Sequence, residues 1–144
     1  MTDIKQHRIL VVDDIEDWRI TLSGLLLDEG YAVEVADSSE AALALLDTYT
    51  FDLALLDVRL VESEDGNTEG LTLASKIRKI TPGTKIVLIT GYETPEMVRQ
   101  AREPDANGRI LAEDFIPKYK TASLLQIIKD VVEQEEYTLK TDNV

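Results

Sequence analysis

The 144-residue chain has no cysteine, four prolines, seven glycines, one histidine and one tryptophan. Without cysteine it has no disulfide, no zinc-thiolate or iron–sulfur site and no thiol nucleophile. The low proline and glycine content, with 44% hydrophobic residues, excludes a fibrous or a disordered chain. The first apolar run, Ile9–Val12, has only four residues. We therefore expect no secretory signal, no membrane span and a cytoplasmic location.

Basic residues are scarce: 15 Lys and Arg stand against 28 Asp and Glu, a net charge of −13. This balance argues against binding to nucleic acid or to an anionic membrane, since both need clustered positive charge. The whole excess lies in residues 1–70, with 17 acidic and 4 basic residues, whereas residues 71–144 have 11 of each. We expect an acidic, metal-binding side and a charge-balanced side suited to protein contacts.

Five short apolar runs alternate with segments of helical spacing. The chain has room for one domain, residues 1–144. We expect its core to span about residues 7–136 and residues 137–144 to form a polar tail or the start of a linker. The runs lack polar alternation, which indicates strands buried on both faces. Strands that alternate with helices predict an α/β fold with a five-stranded parallel sheet and helices on both faces. The runs are Ile9–Val12, Ala32–Ala36, Phe51–Leu56, Ile86–Ile89 and Phe115–Ile116.

Local signals predict several helix ends. Gly30 is typical of a left-handed C-terminal cap. Asp37 and Glu40 have the spacing of a capping box at the start of the second helix. Pro82–Gly83 is expected to end the third helix, and Pro95 to begin the fourth, where its missing N–H costs nothing.

Two connections are long, residues 61–69 and 103–112. Loops of this length are functional or mobile in many domains, or they are tolerated surface insertions, and the sequence leaves both interpretations open. We expect two polar residues outside the strand ends to be solvated: His7 at the chain start, and Asp52 at the beginning of the third strand.

Polar residues follow four of the five apolar runs. Asp13 and Asp14 follow the first, Asp57 the third, Thr90 the fourth and Lys118 the fifth. Ligands of parallel α/β sheets bind at the carboxyl ends of the strands, so these side chains are expected to meet.

This set of side chains points to a particular chemistry. Three neighbouring carboxylates repel each other unless a cation lies between them, and oxygen ligands alone favour Mg²⁺. The lysine pairs with a carboxylate or holds phosphoryl oxygens, and the threonine hydroxyl donates to them. Together these parts suit phosphoryl transfer onto an aspartate.

The chain resembles the receiver domains of two-component response regulators over about residues 7–136. The resemblance implies a flavodoxin-like, doubly wound fold with strand order 2-1-3-4-5. The matching motifs, in order, are Val11-Val12-Asp13-Asp14, Leu55-Leu56-Asp57, Ile89-Thr90-Gly91 and Ile116-Pro117-Lys118.

The resemblance also implies roles for the site residues. Asp57 is expected to accept a phosphoryl group from a histidine kinase or a phosphotransfer protein. Asp14 is expected to bind Mg²⁺ directly and Asp13 through water, with Asp57 and the backbone carbonyl of Arg59 completing the ligands. Lys118 is expected to contact the phosphoryl group.

The resemblance further implies a switch. Thr90 is expected to move toward the phosphoryl group while Phe115 swings inward. The fourth helix, fifth strand and fifth helix form the face expected to bind a downstream protein or a second copy of the chain. The domain is then no enzyme beyond its own phosphorylation and slow dephosphorylation, and the sequence does not name its kinase or its output.

The chain departs from the family pattern in three places. Tyr119 follows the lysine where the family usually has proline, often with a cis bond, so the usual reason for a cis peptide is missing. Gly70 lies 13 residues after Asp57, and Lys118 lies 28 residues after Thr90, both longer spacings than usual. The two long loops account for the excess.

Functions other than that of a phospho-acceptor fit the sequence less well. An aspartyl-phosphate phosphohydrolase needs an acid two residues after its nucleophile, where this chain has Arg59. A receiver-like interaction module that works without phosphorylation remains the alternative. As a separate hypothesis, Arg59 and Tyr92 shield the acyl phosphate from water and tune its lifetime.

Overall fold

The computed structural model describes residues 6–60, 67–91 and 94–142, with side chains as far as Glu133. Strands and helices alternate along the chain, and a single turn of 3₁₀ helix, Lys118–Lys120, joins the last strand to the last helix. The elements are β1 (Arg8–Val12), α1 (Glu16–Asp28), β2 (Ala32–Ala36), α2 (Ser39–Thr48), β3 (Leu53–Asp57), α3 (Glu69–Ile80), β4 (Lys85–Thr90), α4 (Pro95–Arg102), β5 (Asp114–Pro117) and α5 (Thr121–Asp142).

The five strands form one parallel sheet in the order β2-β1-β3-β4-β5. This confirms the predicted fold class and strand order. Helices α1 and α5 cover one face of the sheet, and α2, α3 and α4 cover the other. The chain reverses direction along the sheet between β1 and β3, which places the carboxyl ends of both strands beside a crevice.

Alternate residues of each strand enter two separate hydrophobic cores. In β1, Ile9 and Val11 pack against α1 and α5, whereas Leu10 and Val12 pack toward α2 and α3. All four are at most 1% exposed. Burial on both faces is the reason that the strands read as unbroken apolar runs.

The structure confirms three of the predicted helix signals and corrects one. Helix α3 ends at Ile80, with Thr81 as its C-cap directly before Pro82. Gly30 has φ +94° just past the end of α1, as a left-handed cap requires. Pro95 is the first residue of α4, where Thr94 is the N-cap and accepts a hydrogen bond from the Met97 amide. The capping box predicted from Asp37 and Glu40 is wrong.

The N-cap of α2 is Ser38, whose Oγ accepts a hydrogen bond from the Ala41 amide at 3.2 Å. Ser38 has the extended backbone that an N-cap needs, and Asp37, one residue earlier, is exposed. Aspartate and serine are both favoured as N-cap residues, so the backbone path out of β2 determines that Ser38 and not Asp37 is the N-cap of α2.

Strand β3 begins at Leu53, two residues later than predicted. Phe51 is buried, but its carbonyl accepts a hydrogen bond from the Thr84 hydroxyl at 2.9 Å rather than from a strand. The Asp52 carboxylate accepts a hydrogen bond from the Arg8 amide at 2.8 Å and is only 26% exposed. The assignment of Asp52 to solvent is therefore corrected.

His7 was also expected to be solvated, and its side chain is only 14% exposed. Its Nδ1 lies 3.6 Å from an Asp52 carboxylate oxygen, and its ring packs against Tyr31 at a centroid distance of 6.5 Å. Both contacts lie at the amino-terminal edge of the sheet, away from the predicted site. They arise because the start of β1 lies between β2 and β3.

Of the loop at 61–69, residues 61–66 lie outside the described residues, and Asn67 closes its base. The Asn67 side-chain oxygen accepts hydrogen bonds from the amides of Leu60 at 3.2 Å and Glu69 at 3.1 Å.

The loop at 103–112 is folded around Asp105, whose carboxylate accepts hydrogen bonds from the amides of Asn107 and Arg109. These two bonds lower the pKa of Asp105.

The peptide bond before Tyr119 is trans, as is every other within the described ranges. Helix α5 continues to Asp142, through much of the stretch predicted as a polar tail. Across the described part of the chain, no helix has both the length and the apolar composition needed to cross a bilayer.

Candidate functional site

The polar residues that end the strands meet at one edge of the sheet. Asp57 and Thr90 are the last residues of β3 and β4, and Asp13 and Lys118 directly follow β1 and β5. The parallel register sets Asp57 beside Ile89 and Thr90 beside Pro117. The four residues lie at the ends of neighbouring strands and are each at most 6% exposed.

Lys118 lies between two buried carboxylates. Its Nζ is 2.8 Å from Oδ2 of Asp13 and 3.2 Å from Oδ2 of Asp57. Asp13 is fully buried and Asp57 is 1% exposed. One ammonium therefore faces two carboxylates that water hardly reaches, which leaves excess negative charge at the site.

Backbone amides fix the other carboxylate oxygens. The Arg59 amide donates to Oδ1 of Asp57 at 3.3 Å, and the Ile15 amide donates to Oδ1 of Asp13 at 3.0 Å. The Arg19 side chain donates to the Asp13 carbonyl at 2.8 Å and so ties α1 to the end of β1. Each carboxylate is oriented by the turn that follows its own strand.

The pKa of Asp57 is raised from 3.8 to about 7. Burial is the largest cause, because it disfavours the charged form, and the negative charge of Asp13 raises the pKa further. The ammonium of Lys118 opposes both effects by charge and by its hydrogen bond, and the Arg59 amide opposes them more weakly. An added cation would favour the ionised carboxylate.

The third carboxylate, Asp14, completes a cluster able to hold such a cation. One oxygen from each of Asp13, Asp14 and Asp57 lies within 4.8 Å of the others. Asp14 is half-buried, whereas the other two are buried. An all-oxygen set of carboxylates suits a hard divalent cation such as Mg²⁺.

A cavity of about 420 Å³ opens from Asp57 and Lys118 toward solvent. Asp57 and Lys118 form its base, and one wall is apolar and aromatic. The residues that line it are Ile15, Trp18, Asp57, Arg59, Thr90, Gly91, Lys118 and Tyr119. It is large enough to admit a phosphoryl group to the Asp57 carboxylate.

Trp18 is a site residue that the sequence analysis missed, because its spacing marked it only as part of the apolar face of α1. Its ring faces Lys118, with the Nζ atom 4.8 Å from the ring centroid. Trp18 lies four residues after Asp14 and is the third residue of α1, and that spacing is the available signal.

Other predicted residues lie near the site with less direct contact. Arg59 lines the cavity, and its amide contacts Asp57. Phe115 is only 5% exposed and packs in the core with Ala101 and Ala112, so the described structure has its ring already inside. Tyr92 lies outside the described residues.

Comparison with known proteins agrees with this geometry. The chain matches the family model of the response regulator receiver domain over residues 9–129, most of its length. The chain therefore belongs to the family of response regulator receiver domains.

Individual relatives are similar to the chain over most of its length. The alginate biosynthesis transcriptional regulatory protein AlgB of Pseudomonas aeruginosa is 36% identical over 105 residues, which are 73% of this chain and 22% of that protein. The chain spans about a fifth of the length of the first curated relatives that it matches.

Solved structures share the fold. A CheY-like receiver domain protein of Methanospirillum hungatei is 32% identical, with a TM-score of 0.76 over 93% of this chain and 99% of that one. The response regulator TrrA of Thermotoga maritima, solved in complex with Mg²⁺ and BeF, is 31% identical, with a TM-score of 0.68 over 88% of this chain and 99% of that one.

Proposed function

We propose that this receiver domain is a phosphorylation-dependent signalling switch that accepts a phosphoryl group on Asp57. The observation that carries the proposal is the buried contact between Asp57 and Lys118 at the base of an open cavity. Burial of two carboxylates around one ammonium costs desolvation free energy that apolar residues would avoid. A chemical role accounts for that cost.

In the proposed reaction, a carboxylate oxygen of Asp57 attacks the phosphorus of a phosphohistidine on a histidine kinase or a phosphotransfer protein. The new P–O bond forms as the P–N bond breaks, and the imidazole leaves with the electron pair. Lys118 and the Arg59 amide hold the Asp57 carboxylate in place, and the Lys118 ammonium offsets charge on the phosphoryl oxygens. Attack of water on the phosphorus of the acyl phosphate later releases inorganic phosphate and restores the Asp57 carboxylate.

Asp13, Asp14 and Asp57 fit Mg²⁺, since their oxygens cluster within 4.8 Å and the single ammonium of Lys118 faces two buried carboxylates. We propose that these carboxylates hold the ion together with the Arg59 backbone carbonyl. The bound ion supplies positive charge that favours ionised Asp57 and neutralises the transferring phosphoryl group. TrrA, which shares the fold, was solved with Mg²⁺ and BeF.

The switch is proposed to begin at Thr90, whose position at the end of β4 lets its hydroxyl reach a phosphoryl group on Asp57. A ligand shifts a conformational equilibrium only by contacting one state better than the other, and Thr90 provides that difference. The Phe115 swing implied by the family resemblance requires a second conformation with the ring outside, since the ring is buried here.

We propose that α4, β5 and α5 form the face for a downstream protein or a second copy of the chain, and that the domain acts in the cytoplasm. Exposed α4 carries balanced charges: Arg99 pairs with both Glu96 and Glu103. The backbone of β5 connects this face to Lys118, which lies one residue after the strand. A conformational change caused by phosphorylation of Asp57 can therefore reach this face through β4 and β5.

Arg59 is proposed to slow hydrolysis, because its side chain lines the cavity through which water reaches Asp57. The variant Arg59→Asn should shorten the lifetime of the acyl phosphate. An unchanged lifetime would contradict this role. Tyr92, for which the same role is proposed, lies outside the described residues.

Incubation with Mg²⁺ and acetyl phosphate, followed by intact-protein mass spectrometry, tests the proposal. We expect the mass to increase by one phosphoryl group in the wild type and not in Asp57→Asn. Asp52→Asn is the matched control, since Asp52 lies at the opposite end of β3 and should leave the phosphorylation unchanged. If the wild type gains no mass, or Asp57→Asn gains it equally, the phospho-acceptor function is wrong and an interaction module that works without phosphorylation is favoured.

A further inference from the structure

The ammonium of Lys118 has three N–H donors and neighbours on three sides. Two sides face Asp13 and Asp57, and the third faces the ring of Trp18, 4.8 Å from the ring centroid. The Lys118 side chain is 7% exposed, so the indole ring takes the place that water would otherwise fill. The face of an indole attracts a cation, and the attraction grows when both groups are shielded from water.

The position of Trp18 follows from the same turn that orients Asp13. The Ile15 amide donates a hydrogen bond to Oδ1 of Asp13, and Ile15 is the N-cap residue of α1. Trp18 is the third residue of that helix, so its ring is set one turn beyond the carboxylate. One side of the half-buried ring packs on the core between α1 and α5, and the ring also lines the cavity above Asp57.

We propose that Trp18 is a positioning residue for Lys118 in phosphoryl transfer, and the inference rests on the proposed function. When Asp57 reacts, Lys118 exchanges its contact with the carboxylate for one with the phosphoryl oxygens. During that exchange the indole face keeps the ammonium at the cavity, where otherwise it would turn onto Asp13 alone or out to water. The ring thereby preorganises the positive charge that stabilises the transferring group.

Replacement by Leu or by Phe separates this role from simple packing. Both side chains fill apolar space, but only Phe retains an aromatic face for the ammonium. With acetyl phosphate and saturating Mg²⁺, we expect Trp18→Leu to be phosphorylated about 3- to 30-fold more slowly than the wild type. Trp18→Phe should retain most of the wild-type rate.

A spectroscopic measurement tests the contact itself. Lysine side-chain protons above an indole face are shifted upfield by the ring current, so ¹³C-lysine NMR of the wild type should show an upfield-shifted signal from Lys118, stronger in shift than any from Lys120, which lies 5.9 Å from the Tyr119 ring centroid. That signal should vanish in Lys118→Met, which assigns it, and should move to an ordinary position in Trp18→Leu. The absence of any such signal from the wild type would overturn the inference without any need for a variant.

Tyr49→Leu is the matched control, since it removes a cation–π contact of similar length, 4.5 Å to Arg8, far from the site. It should leave both the rate and the Lys118 signal unchanged. Equal rates for Trp18→Leu and the wild type, or equally slow rates for Trp18→Leu and Trp18→Phe, would overturn the positioning role while phosphorylation of Asp57 stands. If the wild type is not phosphorylated at all, the proposed function fails first and this role fails with it.

Discussion

Gly70 packs directly against the backbone of Asp57. A Cβ atom at position 70 would lie 2.0 Å from the Asp57 carbonyl oxygen and 2.7 Å from the Val58 Cα, both backbone atoms that cannot turn aside. The Gly70 amide donates to the Val58 carbonyl at 2.8 Å. The long loop after β3 therefore returns to the strand end that carries Asp57, and only glycine fits at the point of contact.

We expect Gly70→Ala to destabilise the fold by about 1–3 kcal/mol or more, because the new methyl group forces α3 away from β3. Urea unfolding followed by circular dichroism measures this loss. Gly24→Ala is the matched control, since Gly24 lies within α1 and its Cβ would meet nothing within 4 Å. It should be neutral or stabilising by about 0.5–1 kcal/mol. Similar losses in both variants would contradict the close approach at Gly70.

The raised pKa of Asp57 predicts a dependence of stability on pH in the absence of divalent cations. Unfolded Asp57 ionises near 3.8 and folded Asp57 near 7, so between these values the folded state holds the extra proton. The free energy of unfolding should therefore fall as pH rises through this window, by up to a few kcal/mol, and should level off above it.

Asp57→Asn should lack this decline and should be more stable than the wild type at about pH 8, because it mimics the protonated side chain. Urea unfolding of both proteins in EDTA at about pH 5 and about pH 8 measures the difference. If the free energies of unfolding of the two proteins differ by the same amount at both pH values, the pKa of Asp57 is not raised.

Lys118→Met should destabilise the protein by about 3–5 kcal/mol near pH 8, since it leaves Asp13 and Asp57 facing each other without the ammonium between them. Addition of Asp57→Asn should recover much of that loss, because it removes one of the two charges. Thermal unfolding of the single and double variants measures this coupling. Lys120→Met is the control: Lys120 is exposed two residues later and should have little effect. No recovery in the double variant would mean that the charges do not interact.

The ion pair between Arg78 and Glu113 anchors the long connection before β5. The Arg78 guanidinium donates to Glu113 at 2.5 Å and to the Leu111 carbonyl at 3.1 Å, while Glu113 also accepts from the Ile86 amide at 2.6 Å. Both side chains are mostly buried, at 16% and 14% exposure. We expect Arg78→Met to cost about 3 kcal/mol, since it leaves a buried carboxylate without its cation.

Hydrogen exchange provides a local readout of that anchor. Amide protection in residues 103–112 should fall in Arg78→Met, because the loop loses its bond to α3. Lys76→Met is the matched control, since Lys76 is an exposed residue of the same helix and its charge should contribute little. Unchanged protection of the loop in Arg78→Met would contradict the anchoring role.

The architecture was predictable because its signals are local and repeated. Apolar runs without alternation indicated strands buried on both faces, and the intervening helices indicated a parallel sheet. The neighbouring positions of Asp13, Asp57 and Lys118 followed from that topology, since the carboxyl ends of parallel strands share an edge. Where two equivalent local signals competed, as at Asp37 and Ser38, the sequence alone was insufficient.

Only the tertiary structure decided how charge is shared at this edge. Lys118 and Asp57 are 61 residues apart in the chain, and the distances among Lys118, Asp13 and Trp18 depend on how α1 and the last strand pack together. The pKa of Asp57 likewise depends on burial, which a sequence position does not specify. The sequence by itself therefore determined which strand ends meet, whereas packing brought Trp18 to Lys118 and determined the distances, the exposure and the partner of each charge.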